Sequence, residues 1–249
     1  MFSIICASNN KDVLFKELRH SLSIQTYSNF ELIIIDTIAK KYNGAADALN
    51  AGVKMANGDY LVFCHQDLIL PESELYNISN QIKCLGKFGM LGVAGKTSSS
   101  IIGNITNGIT KRKISKKQIE NPTEVQTLDE AMFIIPKDIV TSHPFDESNH
   151  SWHLYAVEYA LRMHQLKKRV CVIPSFLHHS SSGESMSNDY FKEIRRLTAK
   201  YRCSYDIIYT TMGNWHTNNL LLELDILSIH IQLILIFLKK RILIGVTRP

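Results

Sequence analysis

Tyr60-Leu61-Val62-Phe63-Cys64-His65-Gln66-Asp67 is the stretch on which the fold turns. Its apolar run reads as a buried strand, and His65-Gln66-Asp67 then falls at the strand's carboxyl end. Ligands in open α/β sheets bind beyond the carboxyl ends of strands, where such enzymes hold metals and phosphates. An Asp at that point is placed for chemistry in a way that a mid-helix Asp is not.

On either side, short apolar runs alternate with helical patterns, which predicts a mainly parallel sheet wrapped by helices. Phe2 to Ala7 reads as a first strand, and Ser8-Asn9-Asn10 opens a helix to about Gln25 with Val13, Leu14, Leu18 and Leu22 on its apolar face. Leu32-Ile33-Ile34-Ile35 marks a second strand, Glu31 to Asp36, ending on a carboxylate. The small residues of Gly44 to Ala56 form a helix stopped by Asn57-Gly58-Asp59. Pro71 and Glu72 suit the first turn of a helix to about Leu85, and Met90 to Ala94 is a further strand. Thr97 to Asn121, rich in Ser, Gly, Asn and Lys, reads as an irregular stretch or loose hairpin near the cleft. Glu124 to Pro136 is expected as one strand centred on Ala131-Met132-Phe133-Ile134-Ile135, and Trp152 to Leu166 as a helix. Arg169 to Pro174 is a strand leading into Phe176-Leu177-His178-His179-Ser180-Ser181-Ser182-Gly183.

With 249 residues, 45% of them hydrophobic, the chain can bury a sizeable core, and it divides into a sheet domain over 1–185 and a helical extension over 186–249. The extension carries an amphipathic helix near Asp189 to Tyr201 and an apolar-rich segment, Leu220 to Val246. The uninterrupted core of that segment, Ile226 to Leu238, contains Ser228, His230 and Gln232 and is short of the roughly twenty residues of a bilayer span. Lys239-Lys240-Arg241 after it suits a helix lying in an anionic membrane surface or a packed terminal helix. The 28 basic residues exceed the 23 acidic ones by five, but they are scattered in small clusters that read as solvated faces, not as a nucleic-acid surface. Five dispersed cysteines without paired spacing suit a cytoplasmic protein, and the N-terminus lacks the pattern of a secretion signal.

A hard divalent cation takes oxygen ligands and is often held by one or two carboxylates, with waters and substrate phosphates completing its shell. Asp67 suits that role, or that of a cap for the helix near Pro71. His178 and His179 follow a second strand end and are candidates for a metal ligand, for a phosphate contact when protonated, or for simple hydrogen-bonded polar residues. Asp129, Asp146, Glu147 and Glu158 are the carboxylates available for general-base work. The chain has no Gly-x-x-x-x-Gly-Lys-Ser/Thr loop, no Gly-x-Gly-x-x-Gly after the first strand, no Gly-x-Ser-x-Gly elbow and no His-Glu-x-x-His pair. Those absences argue against phosphate-loop ATPases, dinucleotide enzymes, α/β-hydrolases and zincins.

Five motifs in order span about residues 2 to 183: Phe2-Ser3-Ile4-Ile5-Cys6-Ala7-Ser8-Asn9, Asn50-Ala51-Gly52 before Ala56-Asn57-Gly58-Asp59-Tyr60, Phe63-Cys64-His65-Gln66-Asp67, Phe145-Asp146-Glu147, and Trp152-His153-Leu154-Tyr155. Together they resemble the family 2 glycosyltransferases of GT-A fold, and within them the small glycosyltransferase-like group with a His-Gln-Asp motif. The resemblance implies a Rossmann-like, mostly parallel central sheet flanked by helices. It also implies a metal-dependent, inverting enzyme that moves a sugar from a nucleotide-sugar, a UDP-sugar first, to a glycan or lipid-linked acceptor, as in surface polysaccharide synthesis at the inner face of the cell membrane. Ala7, Ser8, Asn9 and Asp36 would line the nucleotide pocket, with Asp36 on the base or ribose and Asn50 supporting the helix beneath the donor. His65 and Gln66 would touch the donor, and Asp67 would hold Mn²⁺ or Mg²⁺ on its diphosphate. His178 would be a second metal ligand, with His179 as the fallback. Trp152 and Tyr155 would form an apolar platform for the acceptor, with His153 beside it.

The chain departs from that pattern at three places: His65 stands where most relatives carry Asp, Leu49 where they carry Arg, and Ala156 where the base is expected. Diphosphate binding then falls to Lys96 or Lys111, and the base to Glu158, with Asp129 and Asp146 as substitutes. The same departures fit an alternative, a sugar-nucleotide-binding or partner subunit that keeps the fold without turnover. A related nucleotidyltransferase is disfavoured, because no Gly-rich, Lys-containing loop follows the first strand.

Overall fold

Seven strands form the central sheet: β1 (Phe2–Ser8), β2 (Phe30–Asp36), β3 (Tyr60–Cys64), β4 (Met90–Gly92), β5 (Thr123–Glu124), β6 (Met132–Pro136) and β7 (Val170–Val172). They were obtained from a computed structural model, which describes residues 1–181 and 186–246, with side chains described as far as residue 235. Ser182 and Gly183 of the histidine loop and the side chains of Lys239-Lys240-Arg241 therefore lie outside the described residues. Their order is β5-β7-β4-β6-β3-β1-β2. β1 runs parallel to β2 and β3, and β7 parallel to β4, as expected of the α/β class. β6 is inserted antiparallel between β3 and β4, and β5 is an antiparallel edge.

Both faces of the sheet are buried, because alternate residues of each strand feed opposite cores. Ile5, Phe63, Phe133 and Ile135 pack with Ala45, Ala46, Ala48 and Leu49 of the Ala45–Met55 helix and with Ala156, Tyr159 and Ala160 of the Tyr155–Gln165 helix. Phe2, Ile4, Cys6, Val62 and Ile134 pack on the other side against Leu14, Leu18 and Leu22 and against Leu75, Ile78 and Ile82 of the Glu74–Leu85 helix. Gly52 lets the first of these helices lie close to β1: a Cβ there would fall 2.5 Å from Ile5 Cγ2.

The expected single strand over Glu124 to Pro136 is broken. Thr127–Leu128 leaves the central sheet to pair with Ala94–Lys96, and Asp129 Oδ1 then accepts from the Ala131 N–H at 3.0 Å, turning the chain into β6. Met132 pairs with Cys64, so this break sets Asp129-Glu130 beside the carboxyl end of β3. The stretch after Thr97 contains a short hairpin, Thr106–Asn107 with Arg112–Lys113. That hairpin joins His178–His179 and Leu68–Ile69 in a small sheet.

The C-terminal part is not purely helical. Between the Asn188–Tyr201 and Asn219–Val246 helices lies a hairpin, Ile207–Thr210 with Gly213–His216. One core joins Leu154, Val157 and Leu161 to Tyr190, Phe191, Leu197, Trp215, Leu222 and Ile226, so packing runs across the boundary expected at residue 185. Among the described residues, no helix is long and apolar enough to cross a membrane.

Candidate functional site

One amide ties the carboxyl ends of β1 and β3 together. Gln66 Oε1 accepts from the Ser8 hydroxyl at 2.7 Å and from the backbone N–H groups of Asn9 and Asn10 at 3.1 and 3.0 Å. Gln66 Nε2 donates to Asn9 Oδ1 at 2.7 Å. Ser8, Asn9 and Gln66, grouped by sequence as donor contacts, thus brace the cleft floor against one another. Asp36 Oδ1 accepts from the Ile38 and Ala39 N–H groups at 3.0 and 2.9 Å, and its Oδ2 pairs with Lys11 at 3.0 Å. The Ala39 N–H and then Lys11 hold its carboxyl below the usual range. Asn50, buried, grips the next segment: its amide donates to Phe145 O and Glu147 Oε1, and its oxygen accepts from the Phe145 N–H.

Beyond β3, His65 Nδ1 lies 3.3 Å from His179 Nε2, which lies 3.2 Å from Asp67 Oδ1 and 3.0 Å from Ser181 Oγ. A single imidazole nitrogen offers either one proton or one lone pair and cannot serve three neighbours. A divalent cation would instead be served by His65, Asp67 and His179 together, whose ligand atoms all lie within 4.8 Å of one another. Two imidazoles and a carboxylate are softer than an all-oxygen shell, so these residues fit Mn²⁺ better than Mg²⁺. Burial raises the Asp67 carboxyl, but the His179 hydrogen bond and charge outweigh it and bring it to about 2. Burial, then the charge of His179, holds His65 low. Burial also works against protonated His179, yet the Asp67 hydrogen bond and charge raise it.

The place expected of His178 is taken by its neighbour. Successive side chains of a strand face opposite ways, and the His178 ring turns to Thr106, with Nδ1 3.0 Å from Oγ1 and 3.1 Å from the carbonyl oxygen.

Two cavities meet at this cluster, and His65 lines both. The smaller, about 600 Å³, is lined by Ala7, Asn9, Thr37, Lys41, Tyr42 and Asp67, with Trp152 and Tyr155 as a wall. The larger, about 780 Å³, lies between Asp129, Glu130, His153 and His179 on one side and Arg112, Lys113 and Lys116 on the other. Tyr155 OH sits 3.3 Å from His65 Nε2, while His153 Nε2 sits 3.2 Å from Ser187 Oγ. Trp152 and Tyr155 therefore stand on the smaller cavity and His153 on the larger, so the expected acceptor group is divided between them. Lys96 and Lys111 line neither cavity; Lys41, which the sequence left unmarked, lines the smaller one.

The carboxylates expected to act as base separate in the same way. Glu158, only 3% exposed, accepts from Lys200 Nζ at 2.9 Å and Tyr201 OH at 3.0 Å, with Arg162 at 3.6 Å. Asp146 pairs with Lys200 at 2.6 Å and Arg196 at 3.6 Å. Both lie on the face that packs against the Asn188–Tyr201 helix, and neither lines either of the two cavities. Asp129 does line the larger cavity, but Oδ1 is taken by the Ala131 N–H and Oδ2 by the Thr211 hydroxyl at 2.7 Å. Glu130, beside it, also lines the larger cavity and was not among the carboxylates singled out by sequence, although it stands directly ahead of an apolar strand.

The sequence profile of a glycosyltransferase-like family matches residues 3–201. A Haemophilus influenzae protein bearing the name uncharacterized glycosyltransferase is 34% identical over 92 residues, 29% of this chain and 31% of that protein. S. aureus TarS in complex with UDP-GlcNAc has a TM-score of 0.56 at 17% identity, over 80% of this chain and 66% of that chain. GalNAc-T7 with UDP, GalNAc and Mn²⁺ has a TM-score of 0.59 at 12% identity, over 80% and 47%. Those two likenesses are of fold, and the chain spans less than two thirds of each relative.

Proposed function

The chain belongs to the glycosyltransferase-like family, and from that premise we propose that it transfers a sugar from a nucleotide-sugar donor to an acceptor hydroxyl, with a divalent cation and with inversion. The observation that carries this reading is the His65, Asp67 and His179 cluster at the junction of two cavities. A two-substrate displacement needs two binding spaces that share one reacting centre.

The smaller cavity suits the nucleotide. Tyr42 and Trp152 offer aromatic faces, Lys41 a charge for the diphosphate, and Ala7 the room for close approach. UDP-GlcNAc in TarS and UDP in GalNAc-T7 support a uridine nucleotide as the first choice. Asp67, His179 and His65 would hold Mn²⁺, which supplies positive charge against the negative charge growing on the departing diphosphate. Tyr155 fixes the His65 ring. The larger cavity suits a glycan or lipid-linked acceptor.

Contact with a membrane surface rests on Leu220, Leu224, Leu227, Ile231 and Ile234, which are exposed along the C-terminal helix. Vesicles with anionic lipid should sediment the full chain, and Leu224→Glu with Leu227→Glu should release it; equal, negligible binding by both proteins removes the idea.

UDP release from UDP-GlcNAc and other UDP-hexoses, with Mn²⁺ and a panel of glycoside acceptors, tests the main reading. Asp67→Ala and His179→Ala should slow turnover by about a hundredfold or more, with His178→Ala within about threefold of wild type. Undiminished turnover in Asp67→Ala would refute the metal role. Leu49 and Ala156 keep the second reading, a binding subunit, in view: tight UDP-sugar binding by wild type without transfer or hydrolysis would favour it.

A further inference from the structure

We infer that Glu130 is the general base of the transfer, receiving the proton of the acceptor hydroxyl in the larger cavity; this rests on the glycosyl-transfer reading above. Glu130 lines that cavity with its Oε1 shut off from solvent and without a hydrogen-bond partner. Buried carboxylate oxygens are normally paired, so an unpartnered one beside a cavity calls for an explanation. The other carboxylates offered for this role are engaged: Glu158 and Asp146 by Lys200, and Asp129 by Ala131 and Thr211.

Two structural features aim Glu130. The break before β6 sets it beside the end of β3, where the His65 N–H donates to Ala131 O at 2.9 Å. On its other side, buried Leu154 takes the left-handed backbone conformation (φ 64°), an uncommon state for a bulky side chain, and turns the chain into the Tyr155–Gln165 helix. The first N–H groups of that helix, from Tyr155, Ala156 and Leu154, favour the charged form of the Glu130 carboxyl against its burial. Glu130 thus reaches from a neighbouring strand to the helix start where Ala156 has no carboxylate of its own.

The step balances simply. The acceptor oxygen attacks the anomeric carbon of the donor sugar, and the bond from that carbon to the diphosphate oxygen breaks, its electron pair leaving on the diphosphate. The hydroxyl proton passes to Glu130 and afterwards to solvent.

A base poised near neutrality is suited to this work. Burial, and next the charge of Asp129, raises the Glu130 carboxyl to about 8 against the pull of the three N–H groups. The titratable and charged groups that line the cavity with it are Asp129 on its own turn, His65 after β3, His179, His153, Tyr190 and the cations Arg112, Lys113 and Lys116.

The test uses the full chain with Mn²⁺, UDP-GlcNAc, and water or simple glycosides as acceptors. Glu130→Gln should bind UDP with wild-type affinity yet transfer about a hundredfold or more slowly, and Glu130→Asp, which keeps the carboxylate, should fall between the two. In wild type kcat/KM should rise with pH up to about 8, and that rise should be missing in Glu130→Gln. Transfer by Glu130→Gln within about threefold of wild type, with the same pH profile, would overturn the inference. A wild type that binds UDP-GlcNAc but transfers to no acceptor would instead sink the transferase reading, and the inference with it.

Discussion

Two clusters of charged side chains lie on opposite sides of the Tyr155–Gln165 helix start, and they differ in how completely they are satisfied. Behind the helix, Glu158 and Asp146 share Lys200, and Arg196 and Tyr201 close the set, so both carboxylates have partners, although Arg162 beside Glu158 keeps Nε and Nη2 without a hydrogen bond. In front, one His179 nitrogen is asked to serve Asp67, His65 and Ser181, and Glu130 Oε1 has no partner. Buried polar groups are normally paired. The rear cluster ties down the Asn188–Tyr201 helix, and the front cluster is the one we propose as the ligand site. Acidity alone did not tell them apart; the pairing of the carboxylate oxygens does.

The contrast can be broken most forcefully through pH. Glu130 keeps in the folded chain, up to about 8, a proton that the unfolded chain releases above its ordinary 4.5. Wild-type stability should therefore fall as pH rises from 4.5 to 8, by up to about 1.4 kcal/mol per pH unit. Glu130→Gln cannot ionise and should lose that slope, gaining a few kcal/mol on wild type by the alkaline end. Thermal melts at several pH values measure this, and parallel curves for the two proteins would return Glu130 to the satisfied class.

Lys200→Met acts on the rear cluster. It leaves Glu158 buried without its 2.9 Å partner and should cost roughly 1–3 kcal/mol, while UDP-sugar turnover per folded molecule is unchanged. A loss of turnover without a loss of stability would make the rear cluster part of the site. A smaller effect is expected from Gln66→Ala, which unties the ends of β1 and β3. Stability should drop by about 1–2 kcal/mol and KM for the donor should rise with little change in kcat; an unaltered KM would mean that the Gln66 brace does not shape the donor cavity.

The fold was legible wherever a single strand carries a continuous apolar run. β1, β2 and β3 were readable for that reason, and Asp67 with them, because the end of β3 is fixed by its own residues. Partner-dependent features were not. The break at Asp129 depends on Thr127–Leu128 pairing with Ala94–Lys96, and the hairpin at 207–216 is held by Gln126 and Thr127 hydrogen bonds to residues more than eighty positions away. Trp215, fully buried, is covered by elements on both sides of residue 185, which local pattern cannot foresee. The choice between His178 and His179 turned on strand phase, a one-residue matter set by pairing with Leu68–Ile69. Which way Glu158 faces was likewise not legible, because its partners Lys200 and Tyr201 come from the Asn188–Tyr201 helix.

The central claim is that His65, Asp67 and His179 form one cation site on the nucleotide's diphosphate. Mn²⁺ titration of the full chain with UDP, followed through the paramagnetic resonance signal of free Mn²⁺, tests it most directly. The expected result is one tightly held Mn²⁺ per chain, lost in Asp67→Ala and His179→Ala and retained in His178→Ala; full Mn²⁺ binding by Asp67→Ala, or its loss in His178→Ala alone, would contradict it.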